Sequence, residues 1–123
     1  MIQIQTKLKI NDNSGIKIGQ CLKIYKKKIG KIGDTILIST KKLRLNQKKK
    51  IKIIKGDLFK GLIIHTRYPK TSTIGNRIQF DTNCIIILNN QNKPLGTRIF
   101  GPITSEFRKQ KYFKILSLAS NIL

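Results

Sequence analysis

The residues that could carry acid–base chemistry are few in this chain, and they fall at turns. Asp12, Asp34, Asp57 and Asp81 each lie beside Asn, Gly or Thr in a segment typical of turns. A short polar side chain at such a position usually accepts hydrogen bonds from nearby backbone N–H groups. Glu106 suits the first turn of a helix, where the helix dipole favours an acid. The pattern therefore favours structural roles for the acids over a catalytic pair.

Metal-binding and nucleophilic groups are equally sparse. His65 is the single histidine, and we expect it to face the core, solvent or a phosphate. Cys21 and Cys84 lie on separate apolar stretches without a second Cys or His at ligand spacing, which is typical of buried, reduced thiols rather than a disulfide or zinc pair. No serine triad or phosphate-binding glycine loop is evident. We therefore expect no catalytic residue, no metal and no cofactor.

Positive charge dominates the composition. The chain has 26 lysines and arginines against five acids in 123 residues, which gives a formal charge of +21. Self-repulsion at such a charge opposes the compact state, so a polyanionic partner is expected. Nucleic-acid phosphates are the usual partner of a small basic domain. The sequence contains no apolar run long enough to span a bilayer, so we expect no membrane partner.

Three segments concentrate these cations. The richest is 41–55, for which a solvated charged hairpin is the alternative to an arm lying on phosphates; 23–31 and 67–79 follow. Because basic and apolar residues alternate on several strands, the cations should face outward in many directions, as in a protein embedded in folded RNA. The candidate RNA-binding residues are Lys26, Lys27, Lys28, Lys41, Lys42, Arg44, Lys48, Lys49, Lys50, Arg67, Lys70 and Arg77.

Period-two alternation predicts that strands position most of these residues. Strands are expected from residue 1 and over 16–25, 34–40, 51–54, 58–66, 76–80 and 84–88. Short strands separated by Asn, Asp and Gly turns are typical of a small barrel or sandwich, and closing the sheet removes exposed edges.

The period changes after Gly101–Pro102. Thr104 can cap a short turn, and an apolar helical face is formed by Tyr112, Ile115, Leu116 and Ala119. We expect one domain over 1–123, with a barrel over about 1–100 and a helical part over about 101–123.

The aromatic residues do not cluster as in proteins that stack single-stranded bases. Phe59, Phe80 and Phe100 are expected in the core, and Tyr68 is the one loop aromatic suited to a nucleotide contact. A free single-strand-binding barrel is the alternative function, and a small RNA-modifying enzyme is a third.

Three segments carry a resemblance to a known family. MIQIQTKLKINDNSG, NQNKPLGTRIFGPITSEFR and YFKILSLA resemble the universal large-subunit ribosomal protein fourteen, and the resemblance runs from Met1 to Leu123. The family's central signature is matched at Gly61–Ile64, Gly75, Phe80, Asn83 and Ile86–Ile87. Ile74 replaces a polar residue of that signature, and Thr71 and Ser72 replace arginines of its loop.

The resemblance implies a mostly β protein, a closed five-stranded barrel with a short C-terminal helical part. It also implies a structural protein that binds large-subunit rRNA and joins an intersubunit bridge with small-subunit rRNA. Neighbours would be the third and nineteenth large-subunit proteins, and members of the family dock a ribosome-silencing factor. The residues assigned to this bridge or silencing-factor surface are Thr97, Arg98, Arg108, Lys111 and Lys114.

The composition also bears on the compartment. With 24 Ile, 21 Lys and 9 Asn but one Ala, the chain favours residues with A/T-rich codons. The N-terminal segment has no features of a signal or transit peptide. We expect a mitochondrial ribosome and an organelle-encoded protein, with a plastid or an A/T-rich bacterial cytoplasm as alternatives.

Overall fold

A computed structural model describes residues 1–25, 27–44, 53–71, 75–108 and 112–123. The strands are β1 (Lys7–Ile10), β2 (Ile16–Ile24), β3 (Thr35–Leu43), β4 (Leu58–His65), β5 (Lys70–Thr71), β6 (Arg77–Ile78), β7 (Cys84–Leu88), β8 (Ile99–Ile103) and β9 (Ala119–Ile122). Five of them close into a barrel in the order β1-β2-β3-β4-β7, in which β7 pairs with β1 in parallel and all other neighbours are antiparallel. The closed five-stranded barrel is thus confirmed.

The barrel interior is filled by one face of each strand. Because successive side chains of a strand point to opposite faces, every second residue turns inward. The buried interior cluster includes Leu8, Ile10, Ile16, Cys21, Ile36, Ile38, Ile63, Ile85 and Ile87. On β1 to β3 much of the other face is polar and exposed, which places lysines outward as the alternation predicts.

Strands β4 and β7 are buried on both faces, which explains their unbroken apolar runs. Their outward side chains, Leu62, Ile64, Ile86 and Leu88, pack in a second cluster with residues of the C-terminal part. That part consists of β8, a 3-10 helix (Ser105–Arg108), the short helix α1 (Phe113–Leu118) and β9. Ile103, Phe107 and Ile115 are its buried contributions. The C-terminal part therefore covers one side of the barrel.

Three predicted strands differ from the structure. The N-terminal strand begins at Lys7 rather than at residue 1, because Gln5 has a φ of 73° and turns the chain. Residues 76–80 contribute only the two-residue strand β6. In 51–54, Ile53 and Ile54 are not in a strand, and residues 51 and 52 lie outside the described part.

The C-terminal part also departs from the prediction. Thr104 caps nothing: its hydroxyl is buried without a hydrogen-bond partner. Ile115 and Leu116 are buried on α1 as predicted, but the helix ends at Leu118 and Ala119 begins β9. Strand β8, which pairs in parallel with β9, was not predicted because it contains Gly101 and Pro102. Proline is tolerated there because this two-stranded pair leaves an edge that needs no N–H donor.

Candidate nucleic-acid interface

The cations of the described segments lie on the surface. All of their lysines and arginines except Lys60 and Lys70 are exposed, and those two are half-buried. They extend from the strands to the loops and the C-terminal helix, so the charge covers several faces of the molecule. A distribution of this kind suits a partner that surrounds the protein. A partner bound in a single cleft would instead require the charge to be concentrated there.

Few of these cations are neutralised within the protein. Among the described residues, Lys27 pairs with Asp34 at 3.0 Å and Lys70 pairs with Glu106 at 2.7 Å. The Asp34 carboxylate also accepts a hydrogen bond from the Lys31 backbone, and Asp57 accepts one from Ile54. The turn roles predicted for these two acids are thus confirmed. The remaining positive charge is available to an external polyanion.

One arginine from each predicted set meets the other at an aromatic ring. The guanidinium carbon of Arg44 lies 5.6 Å from the centroid of Phe100, and that of Arg98 lies 5.7 Å from it. Phe100 is 38% exposed, so its assignment to the core was wrong. It faces outward because Ile99 on β8 is buried, and the next residue of a strand points to the opposite face. We call Arg44, Thr97, Arg98 and Phe100 the arginine–phenylalanine surface.

The loop between β1 and β2 holds this surface in place. Asn13 Oδ1 accepts hydrogen bonds from the backbone N–H groups of Thr97 (2.8 Å) and Arg98 (3.1 Å), and Asn13 Nδ2 donates to Thr97 Oγ1 (2.7 Å). The N–H of Phe100 donates to the carbonyl of Asn11 at 2.8 Å. Arg44 Nη2 donates to the carbonyl of Ile10 at 3.2 Å. Backbone and side chain are therefore fixed before any partner binds.

The same loop is anchored to the barrel by a buried acid. Asp12 is 2% exposed, and its carboxylate accepts hydrogen bonds from the N–H groups of Ile87 (2.9 Å) and Ser14 (3.0 Å) and from the Ser14 hydroxyl. The turn role expected for Asp12 is confirmed. The carboxylate also bonds to Ile87 on β7, which is distant in the sequence. Asp12 thus connects the loop that carries Asn13 to strand β7 of the barrel.

A second basic region lies in the loop after β4. Arg67 is exposed there, and Arg77 is exposed on β6, which pairs with the strand that carries Lys70. The Lys70–Glu106 ion pair ties this region to the 3-10 helix, where Arg108 is exposed.

The other candidates are placed as follows. Lys28 is exposed in the loop after β2, Lys41 and Lys42 are exposed on β3, and Lys114 is exposed on α1. Five candidates lie outside the described residues: Lys26, Lys48, Lys49, Lys50 and Lys111.

The remaining reactive groups have structural environments. His65 is 6% exposed, its ring stacks on Phe80 at 4.0 Å, and its Nε2 hydrogen-bonds the Pro102 carbonyl. Burial lowers the pKa of His65 against the smaller opposing effect of that hydrogen bond. Cys21 and Cys84 are free and buried as predicted, and burial raises the pKa of each thiol.

Other kinds of site find no support in the described segments. They hold no group of three or more His, Cys, Asp or Glu residues able to bind a metal ion. They also hold no helix of the length and hydrophobicity required to cross a membrane. The exposed aromatics of these segments, Tyr68, Phe100 and Phe113, lie on a loop, a strand and a helix, and none of the three rings contacts another.

Two residues of this candidate site were not predicted from the sequence. Phe100 follows Ile99 in an apolar pair, and only the strand alternation of β8 reveals which of the two is exposed. Asn13 has the composition of an ordinary turn residue. Its conspicuous neighbour is Gly96: a Cβ there would lie 2.7 Å from Asn13 Oδ1, so close packing requires glycine.

A known protein family matches this chain along its whole length. A family model described as ribosomal protein L14p/L23e matches residues 1–123, the whole of the chain. Proteins of this family are structural components of the ribosome and are generally not enzymes. The chain therefore belongs to the ribosomal protein L14p/L23e family, as a structural, rRNA-binding protein of the large ribosomal subunit.

Proposed function

We propose that the arginine–phenylalanine surface contributes to an intersubunit bridge with small-subunit rRNA. The observation that carries the proposal is the convergence of Arg44 and Arg98 on the exposed ring of Phe100. Each guanidinium group presents planar donors to phosphates. The exposed ring of Phe100 adds apolar area beside them.

Rigidity supports the same proposal. The hydrogen bonds that Asn13 Oδ1 accepts fix the backbone of Thr97 and Arg98 in the free protein. A prearranged surface loses little conformational entropy when it binds, so more of the contact energy remains for joining the subunits. Arg108, Lys111 and Lys114 are proposed to extend the bridge beyond the arginine–phenylalanine surface, and the combined region would also accept a ribosome-silencing factor. The third and nineteenth large-subunit proteins are the proposed neighbours.

The remaining candidate cations are assigned to large-subunit rRNA. Their role is to neutralise phosphates while the barrel holds them at fixed positions, so contacts to the RNA backbone set the orientation. Lys28, Lys41, Lys42, Arg67 and Arg77 are exposed and form no ion pair with a described acid. Lys27 and Lys70 already pair with Asp34 and Glu106. Each would either leave its carboxylate for a phosphate or contact both groups at once. Lys26, Lys48, Lys49 and Lys50 complete the set on sequence grounds.

Subunit joining tests the bridge. In ribosomes carrying Arg98→Ala, we expect large subunits of normal composition but a several-fold smaller yield of joined ribosomes in a sucrose gradient. Lys93→Ala removes one exposed charge outside the proposed surface and serves as the matched control. A normal yield of joined ribosomes with Arg98→Ala would contradict the bridge assignment.

We also infer that barrel and C-terminal part fold as one unit, because Leu62 and Ile86 of the barrel share a buried cluster with Phe107 and Ile115. A single cooperative unfolding transition, identical by near- and far-ultraviolet circular dichroism, would support this; two transitions would refute it.

The codon-related composition supports a mitochondrial ribosome, and the genome that holds the coding sequence decides between this compartment, a plastid and a bacterium.

A further inference from the structure

Tyr68 stands out among the exposed side chains outside the arginine–phenylalanine surface. It is 55% exposed in the loop between β4 and β5. Tyrosine is amphipathic, and its ring is usually packed in part against other side chains. An exposed ring at a fixed position therefore suits a planar partner. The described residues place a second aromatic ring neither above nor below it.

The backbone around Tyr68 is fixed. Its carbonyl accepts a hydrogen bond from Thr66 Oγ1 at 2.9 Å, and the N–H of Arg67 donates to Asn83 Oδ1 at 2.9 Å. The carbonyl of Thr66 accepts a hydrogen bond from Phe80 at 3.1 Å. Pro69 follows, and a proline restricts the residue before it to extended conformations. The ring is therefore presented on a loop that is already ordered.

A cleft lies on each side of the Tyr68–Pro69 step. The larger, of about 530 Å³, is lined by amide side chains, including Gln3 and Gln79, together with Arg67. The smaller, of about 240 Å³, is lined in part by Lys31 and Lys70. The described lining of neither cleft includes an Asp or Glu. Tyr68 thus lines two clefts that both contain cations; the larger is mainly polar, and the smaller is also lined by Ile32 and Pro69.

Each part of this site corresponds to a part of a nucleotide. The tyrosine face stacks a base, the amides of Gln3 and Gln79 supply donors and acceptors for base edges, and Arg67 and Lys31 suit the flanking phosphates. A protein partner would find mainly apolar lining only in the smaller cleft, and the described lining of neither cleft offers an acid to pair with its cations. A paired base is unsuitable too, because its faces are already stacked in the helix.

We propose that Tyr68 and its two clefts bind one unstacked nucleotide of large-subunit rRNA. The inference rests on the rRNA-binding role of the protein, and it adds a base-stacking contact to the phosphate contacts already assigned. Lys70 is held in place by the Ile32 carbonyl and Glu106, at 3.4 and 2.7 Å, and forms the wall of the smaller cleft. Tyr68 is the residue on which this stacking contact depends.

The test is the affinity of the full-length protein for large-subunit rRNA, measured at several salt concentrations for Tyr68→Leu and Tyr68→Phe. Loss of a base–aromatic stack should weaken binding by about 5- to 100-fold in the leucine variant. The phenylalanine variant keeps the ring and should bind nearly as the wild type. The salt slope should stay unchanged in Tyr68→Leu because no cation is removed, whereas Arg67→Gln should reduce it.

Chemical probing identifies the occupant. One unpaired nucleotide should be protected by the wild-type protein and by Tyr68→Phe, and exposed with Tyr68→Leu. Unchanged affinity and protection in Tyr68→Leu would overturn the inference and leave the rRNA-binding role intact. A defect that emerges only when another ribosomal protein is present would also overturn it, in favour of a protein contact. Failure of the wild-type protein to bind rRNA would instead remove the proposed function itself.

Discussion

The carboxylate of Asp12 accepts a hydrogen bond from the backbone N–H of Ile87, 2.9 Å away. This bond lies just beyond the seam at which the barrel closes, where β1 and β7 share only the pairs Lys9–Cys84 and Ile10–Ile85. Beyond the end of β1, the Asp12 side chain therefore supplies β7 with the hydrogen-bond acceptor that a strand backbone would otherwise provide. The bond also joins the barrel wall to the loop that carries Asn13.

Asp12→Ala should destabilise the protein by about 3 kcal/mol, because it leaves the buried Ile87 N–H without an acceptor and removes bonds to a charged group. Asp12→Asn keeps one acceptor oxygen and should cost less. Asp81→Ala, at an exposed turn, is the matched control and should change stability by less than about 0.5 kcal/mol. Denaturant unfolding measures all three, and equal stabilities of Asp12→Ala and Asp81→Ala would contradict the role of the seam.

His65 should make the stability of the isolated protein depend on pH. Burial lowers its pKa below the ordinary value of 6.5, so the folded state favours the neutral ring. Between the lowered folded pKa and 6.5, the unfolded state binds more protons, and the free energy of unfolding must fall as the pH falls. At pH values above 6.5 this contribution is fully present.

The measurement compares the wild type with His65→Gln, in which an amide N–H replaces the ring donor to Pro102. Subtracting the two curves of unfolding free energy against pH removes the titration of the carboxylates, which both proteins share. The difference should be flat above about pH 7 and should change below it, with the wild type losing more stability. Parallel curves over the whole range would show that His65 does not titrate differently on folding.

The extent to which sequence predicts this structure depends on how local the signal is. The strand 84–88 has the predicted bounds, because an unbroken run of five apolar residues between turn residues is typical of a strand buried on both faces. Gln5 escaped prediction because its left-handed conformation follows from a hydrogen bond to the Cys21 carbonyl, on a different strand. Local periodicity carries no information about such a contact.

The interface shows the same division. That Arg44 and Arg98 are exposed and basic follows from the composition, and both were predicted to contact RNA. Their contact with Phe100 depends on β8, which pairs with the loop after β1. This strand is hard to predict because it contains Gly101 and Pro102. Gly101 itself has a φ of 84°, a conformation that a pattern of apolar residues does not encode.

Gly96 should be required for subunit joining through its contact with Asn13. In Gly96→Ala, the new Cβ would lie 2.7 Å from Asn13 Oδ1 and 3.4 Å from the Asn13 nitrogen, so the asparagine must move and its bonds to Thr97 and Arg98 must weaken. We expect a stability loss of about 1–2 kcal/mol, typical of an overpacked contact. The yield of joined ribosomes should fall as far as it does with Arg98→Ala.

Gly56→Ala separates this effect from a general loss of stability. Gly56 has a φ of 96° with no atom near its Cβ position, so alanine there introduces backbone strain of about 1–2 kcal/mol away from the arginine–phenylalanine surface. Both variants should unfold more easily than the wild type, but only Gly96→Ala should impair joining. If Gly56→Ala impairs joining equally, the defect reflects stability alone, and the placement of Arg98 by Asn13 does not control the bridge.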